Sequence, residues 1–347
     1  MVDKLVDLLA THRIVSIVGM CKNAGKTTVL NELIASYNRL GVSLGITSIG
    51  LDGEDVDLVT GTDKPRVHVL RGTLIATAQE LLLKSDFTRE ILQTTGFNTP
   101  LGEVVLARAR SDGHALIGGS AINSQIAIVC AQLKEFGAEK ILIDGAINRK
   151  AVSGPGVTEA VVLCSGASLH PDMTAVVRET CRAVALLSLK PHGDDRLEEI
   201  IAGLPEDAGR MIVVTADYSC YSFDAANRSD AIHRPNSSEQ ISYIVLRGAV
   251  TDRRIDNLIA ANIDLTSSKI VAEDGSKILL SEDSLTKLQR RGWQLTVSRA
   301  INLVALTLNP VSVSGYAFDR TQFIEAMQKQ VALPVFDVLY EEGVEPL

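Results

Sequence analysis

Gly19-Met20-Cys21-Lys22-Asn23-Ala24-Gly25-Lys26-Thr27-Thr28 combines small side chains, ammonium groups and hydroxyls at a spacing suited to holding a chain of phosphates. A triphosphate packs several negative charges together and needs many donors in a small volume. A loop of small residues can turn its backbone N–H groups inward to make that nest. A helix starting at Lys26 would add free N–H groups and the positive end of its dipole. Lys26 is expected to reach the β- and γ-phosphates. The Thr27 hydroxyl is expected to hold Mg2+, which prefers oxygen ligands and keeps several waters. Gly19, Lys22, Asn23, Ala24, Gly25, Lys26, Thr27 and Thr28 make up the candidate phosphate site. There is one departure from the common pattern, in which four residues separate a glycine from Gly-Lys-Thr. The first glycine would then fall at position 20, which is Met20, and the glycine sits one residue earlier at Gly19. The competing reading is an ordinary strand–loop–helix with an accidental Gly-Lys-Thr.

Two acidic positions could complete such a site. Asp144 ends the apolar run Ile141-Leu142-Ile143. An acid at the carboxyl end of a buried strand can hold Mg2+ through a water, or it can cap a strand-to-helix turn. Asp52, with Glu54 and Asp55, follows the second apolar run. Asp52 could coordinate Mg2+ or orient an attacking water, and it reads equally as part of a solvated acidic loop. Lys26, Asp52 and Asp144 are therefore the candidate catalytic residues, and Thr27, Asp52 and Asp144 the candidate Mg2+ ligands. Lys22 faces either phosphate or solvent. Cys21 reads as a small filler rather than a nucleophile. Asn148-Arg149-Lys150 and Asn309-Pro310 read most simply as turns.

The elements that must position these residues follow from hydrophobic spacing. Residues 13–20 form a β-rich apolar run, and residues 27–40 repeat apolar side chains at three- and four-residue steps before Gly41. Residues 42–49 predict a second strand. Strand, glycine loop, helix, strand is the opening of a parallel α/β sheet, which puts the loop at one sheet edge. Further on, the pattern predicts helices at 74–83, 124–136 and 173–186 and strands at 67–70, 115–117, 140–143 and 161–164. Composition shifts over 188–207 and again over 218–240. The expected fold is α/β: a doubly wound, mostly parallel sheet with a second, smaller α/β domain. The expected division is 1–205, a polar connecting segment 206–240, and a C-terminal domain 241–347. That last part carries strands at 243–246, 269–271, 294–297 and 303–308 and helices at 252–261, 282–291 and 319–331.

With 347 residues, 46% hydrophobic and 22% charged, the chain reads as globular. Its net charge of -8 argues against a nucleic-acid partner, which normally needs a basic face. No apolar run is long enough to span a membrane and the first residues do not read as a secretory leader, so the expectation is a cytoplasmic protein. The five cysteines and six histidines are scattered, without metal-ligand spacing. The sequence leaves a homo-oligomer open. No Asn/Thr-Lys-x-Asp guanine motif is present, so ATP is the expected nucleotide and GTP the alternative.

Residues 21–28, with the distant Asp144-Gly145, resemble the SIMIBI class of P-loop NTPases, which includes dethiobiotin synthetase and the MinD-like ATPases. Dimerising MinD-like members carry a lysine five residues before the loop lysine; here that residue is Cys21, and Lys22 lies four before, so the role does not transfer. Residues 22–28 together with Ser48-Ile49-Gly50-Leu51-Asp52-Gly53-Glu54, residues 143–149 and Asn309-Pro310 are similar to the P-loop subunit (KamB) of lysine 5,6-aminomutase reactivase. That resemblance covers most of the chain. It implies an ATP-dependent factor that releases damaged cobalamin from an adenosylcobalamin-dependent aminomutase, with a second reactivase subunit and the aminomutase as partners. Two other readings stand beside it: an ATP-dependent small-molecule kinase or ligase resembling dethiobiotin synthetase, and a GTP-dependent metallocentre chaperone.

Overall fold

The structure, a computed structural model, describes residues 2–50, 66–146, 157–205, 208–223, 240–260 and 268–337. The chain divides into two compact units, residues 1–184 with 302–347, and residues 185–301. This differs from the expected cut at 205 with a C-terminal domain from 241 onward. The second unit is an insertion, and the last third of the chain is split between the two.

The first unit opens with helix α1 (Val2–Leu9), then strand β1 (Ile14–Gly19), helix α2 (Lys26–Arg39) and strand β2 (Leu44–Ser48). Every residue of β1 and β2 is buried, which explains their unbroken apolar character. Gly41, at φ 73, takes the left-handed conformation that ends α2. There follow β3 (Val67–Val69), β4 (Leu74–Ala78), α3 (Gln79–Lys84), β5 (Arg89–Thr99), β6 (Gly102–Ala109) and β7 (Gly113–Ala115). The helix expected over 74–83 is thus a strand and then a short helix. All of β4 is buried, and a short, fully buried apolar run has no amphipathic period to tell helix from strand. Helix α4 (Asn123–Glu135), β8 (Lys140–Ala146), β9 (Ala160–Gly166) and α5 (Met173–Leu187) complete this part.

The second unit holds α6 (Asp195–Gly203), β10 (Met211–Thr215), β11 (Cys220–Phe223), β12 (Ile241–Leu246), β13 (Val250–Thr251), α7 (Asp252–Ala260), β14 (Lys269–Ala272), β15 (Ile278–Leu279), α8 (Glu282–Arg290) and β16 (Gln294–Val297). Its main sheet has the order β11-β10-β12-β14-β16. β12, β14 and β16 run parallel, and β10 is antiparallel to both of its neighbours. β10 and β11 lie within the expected connecting segment 206–240, and α6 lies at the end of the expected first domain.

The chain then returns to the first unit as β17 (Leu303–Asn309), α9 (Arg320–Gln328) and β18 (Val335–Phe336). The large sheet has the order β18-β17-β9-β1-β8-β2-β4-β6-β5. It is parallel from β18 to β4, with β6 and β5 added antiparallel at one edge. Helices cover both faces. Leu30 and Leu33 of α2 pack with Val15, Ile17 and Leu142 on one side, and Ile126 and Leu133 of α4 pack with Ile14, Ile141 and Ile143 on the other. Adjacent residues of β1 and β8 thus face opposite layers, as strand pleating requires. Because the central strands are parallel, the ends of β1, β2, β8, β9 and β17 share one sheet edge, where α/β sheets bind ligands. Among the described residues, no helix is long and apolar enough to cross a membrane.

Candidate functional site

β1 lies between β9 and β8, with Gly19 opposite Cys164 on one side and Ala146 on the other. The chain leaves the sheet at Met20, whose N–H donates to the Cys164 carbonyl at 3.0 Å. It then turns through Asn23, at φ 59, and Gly25, at φ 93, before entering α2 at Lys26. These left-handed positions turn the chain between β1 and α2, whose first residue, Lys26, comes back to Gly19. Gly25 caps α2 without a side-chain hydrogen bond. The first turn of any helix carries N–H groups without intrahelical acceptors. At this cap no side-chain hydrogen bond from Gly25 meets them.

The Lys26 side chain folds back across the strand end. A Cβ added at Gly19 would lie 2.9 Å from Lys26 Cδ and Cγ and 3.2 Å from Nζ. Gly19 is therefore the residue whose missing side chain gives the lysine its path. This is the physical answer to the displaced glycine: the close approach falls at 19, and Met20 is a half-buried residue at the strand exit. Ala24 is buried, Asn23, Gly25, Lys26, Thr27 and Thr28 are half-buried, and Lys22 is exposed. Burial raises the pKa of the Cys21 thiol, and the Lys26 ammonium pulls it back in part.

Asp144 sits in register with Ile17 on β1 and Ser48 on β2, and its carbonyl accepts the Ile49 N–H at 2.9 Å. It is half-buried. The fully buried Cys164, whose thiol burial pushes up to about 12, feels Lys26 and Asp144 with opposite signs. The ammonium and the carboxylate thus both lie within electrostatic reach of one side chain at the sheet edge. Asp52, Glu54 and Asp55, and likewise Asn148, Arg149 and Lys150, lie outside the described residues. Gly118-Gly119-Ser120 laces onto the end of β2: Gly50 N–H donates to the Ser120 carbonyl at 3.0 Å and Gly119 N–H to the Gly50 carbonyl at 2.9 Å. A Cβ at Gly119 would stand 2.3 Å from the Ser48 carbonyl oxygen, so this glycine serves backbone packing.

Asn309, grouped with the loop by the family resemblance but read from its own residues as a simple turn, reaches the loop in the structure. It ends β17 opposite Gly166 of β9, and its Nδ2 donates to the Asn23 carbonyl at 3.3 Å. Its neighbour loop is tied down by Tyr316, whose hydroxyl donates to the Ala167 carbonyl at 2.7 Å. No local signal in the sequence could have linked residues 286 positions apart. Among the described residues, no group of three or more His, Cys, Asp and Glu side chains is arranged to hold a metal ion. No family model, no curated protein and no solved structure matches the chain.

Proposed function

We propose that residues 19–28 bind the phosphates of a nucleoside triphosphate, ATP by preference, and that the protein is a P-loop NTPase. The observation that carries the reading is Lys26 lying over Gly19 at the end of the central parallel strand, beneath the uncapped start of α2. The loop supplies backbone donors, the helix its dipole, and the lysine a mobile positive charge. The donor set near the strand ends is one of hard oxygens, the Thr27 hydroxyl and the Asp144 carboxylate, which suits Mg2+. Thr27 and Asp144, with Asp52, would hold it, and Mg2+ would neutralise charge on the β- and γ-phosphates. Lys26 binds and orients the terminal phosphates, and Asp144 holds a water or the ion at the strand end.

The finer reading is a nucleotide-driven factor that reactivates an adenosylcobalamin-dependent aminomutase together with a second subunit. Its support is the resemblance of residues 22–28, 48–54, 143–149 and 309–310 to that reactivase family.

Calorimetric titration with Mg-ATP tests the site. Lys26→Ala should weaken binding roughly 10- to 100-fold, the value of one hydrogen bond to a charged group with some added field. Thr27→Ala should reduce the Mg2+ dependence, and Asp144→Asn should lower hydrolysis more than binding. Equal ATP affinity in wild type and Lys26→Ala would refute the reading. Capture from native lysate with and without a non-hydrolysable ATP analogue tests the partner-driven reading. Hydrolysis that is unchanged by any captured protein, but accelerated by a small acceptor molecule, would favour the kinase or ligase.

A further inference from the structure

Asn309 comes from the strand that re-enters the large sheet after the inserted unit, yet it touches the glycine loop at two points. Its Nδ2 donates to the Asn23 carbonyl at 3.3 Å, and the Cβ that Gly25 lacks would lie 3.2 Å from Asn309 Cβ and 3.8 Å from Nδ2. The side chain thus lies flat against Gly25 while holding the carbonyl of Asn23. These are the two left-handed residues of the loop, at φ 93 and φ 59. The other end of the amide is fixed as well, since Asn309 Oδ1 accepts the Val311 N–H at 3.1 Å. With Oδ1 committed to Val311, the amide's orientation is set and Nδ2 must point at the loop. The backbone beneath it is held too: the Cβ missing from Gly166 would stand 2.3 Å from the Asn309 carbonyl oxygen, so β9 and β17 meet there with no room between them.

We propose that Asn309 is a positioning residue of the phosphate site: it fixes the Asn23–Gly25 reversal so that the loop's N–H groups face the phosphates before ligand arrives. The proposal rests on the reading of residues 19–28 as phosphate-binding and adds to it the element that pre-orders them. Asn enters the left-handed region more readily than other non-Gly residues but also populates the ordinary regions, so a fixed partner for the Asn23 carbonyl selects the left-handed one. Anchoring its carbonyl removes the alternative in which that oxygen turns toward the anion.

The test uses the full chain and two probes, inorganic tripolyphosphate and ATP, each with Mg2+. Asn309→Ala should weaken both by the same factor, about three- to tenfold, what one neutral hydrogen bond is worth. Asn309→Asp keeps the acceptor for Val311 and loses the donor for Asn23, so its loss should be at least as large; it also serves if the alanine variant does not fold. The amide resonances of Gly25 and Lys26 should move in the unliganded variants while the thermal midpoint without ligand stays within a degree or two. A loss confined to ATP, with tripolyphosphate unaffected, would show that Asn309 reads the base and would overturn the proposal. So would an Asn309→Asp variant that binds tripolyphosphate like wild type, or Gly25 and Lys26 resonances that do not shift. Failure of the wild-type protein to bind either probe would instead remove the phosphate reading itself.

Discussion

Gly166→Ala should destabilise the first unit far more than any ordinary surface substitution. The glycine is extended, so its backbone conformation suits alanine; the obstacle is space. The new Cβ would lie 2.3 Å from the Asn309 carbonyl oxygen, 2.9 Å from Asn309 Cβ and 3.1 Å from its carbonyl carbon. Carbon and oxygen approach one another to about 3.3 Å, so β9 and β17 must part by roughly 1 Å at this point. The oxygen belongs to a parallel ladder and cannot swing away like the tip of a long side chain. Overpacking of this kind costs about 1–3 kcal/mol, and stretching a ladder bond adds about 1 kcal/mol. The sum, about 2–4 kcal/mol, corresponds to roughly a 1 M lower urea midpoint. Gly203→Ala is the matched control. Gly203 ends α6 with no heavy atom near its missing Cβ, so the same change should be neutral or stabilising by up to about 1 kcal/mol. Far-UV circular dichroism follows both units together. Fluorescence of Trp293, which packs in the core of the second unit, serves as an internal reference. A Gly166→Ala shift below about 0.5 kcal/mol, or shifts of the same sign in both variants, would refute the packing argument.

Thiol labelling should sort the cysteines by burial: exposed Cys220 first, with Cys130 and Cys164, both pushed up to about 12 by burial, reacting only on unfolding. Cys21 should react at an intermediate rate that tripolyphosphate slows, and mass mapping of Cys164 modified as fast as Cys220 would contradict the placement of β9. Asp194 caps α6 and accepts hydrogen bonds from Tyr243 at 2.6 Å and Tyr218 at 2.8 Å. Chiefly through the Tyr243 bond, its folded pKa is held below the ordinary value, so the stability it supplies is present above the unfolded carboxylate pKa and is lost as pH falls through the folded one. Asp194→Asn, followed by Trp293 fluorescence in urea at pH 7 and pH 3, should lower stability at pH 7 and flatten the decline toward pH 3; an unchanged acid limb would remove Asp194 from the acid response.

What the sequence displayed was whatever is decided locally. The strand–loop–helix from Ile14 to Arg39 was legible because buried parallel strands are unbroken apolar runs and α2 carries a clear apolar stripe ended by Gly41. β5 and β6 were not, because register shifts between Ile91 and Gln93 and between Thr94 and Asn98 break the two-residue alternation of a half-exposed edge hairpin. The run over 303–308 reads as a strand in any context, but periodicity says nothing of which sheet it joins. β17 therefore sat in an imagined C-terminal domain until its pairing with β9 placed it beside the loop. The candidate site divides the same way: Gly19, Gly25 and Lys26 are legible in the local pattern, whereas Asn309 was grouped with them only by resemblance and its contact with the loop is visible only in the structure.

That division has a physical consequence for how the loop is held. The cost of closing a chain segment grows only with the logarithm of its length, so an inserted unit adds little to the entropy of pairing β9 with β17. The bond from Asn309 to Asn23 is therefore affordable despite the 286 positions between them. It nevertheless depends on β17 staying docked, and β17 is flanked on its outer side only by the two-residue β18. Fraying at that edge would release the Asn23 carbonyl and the packing on Gly25 together. Order in the loop thus depends on a strand reached through the second unit as well as on the loop's own glycines.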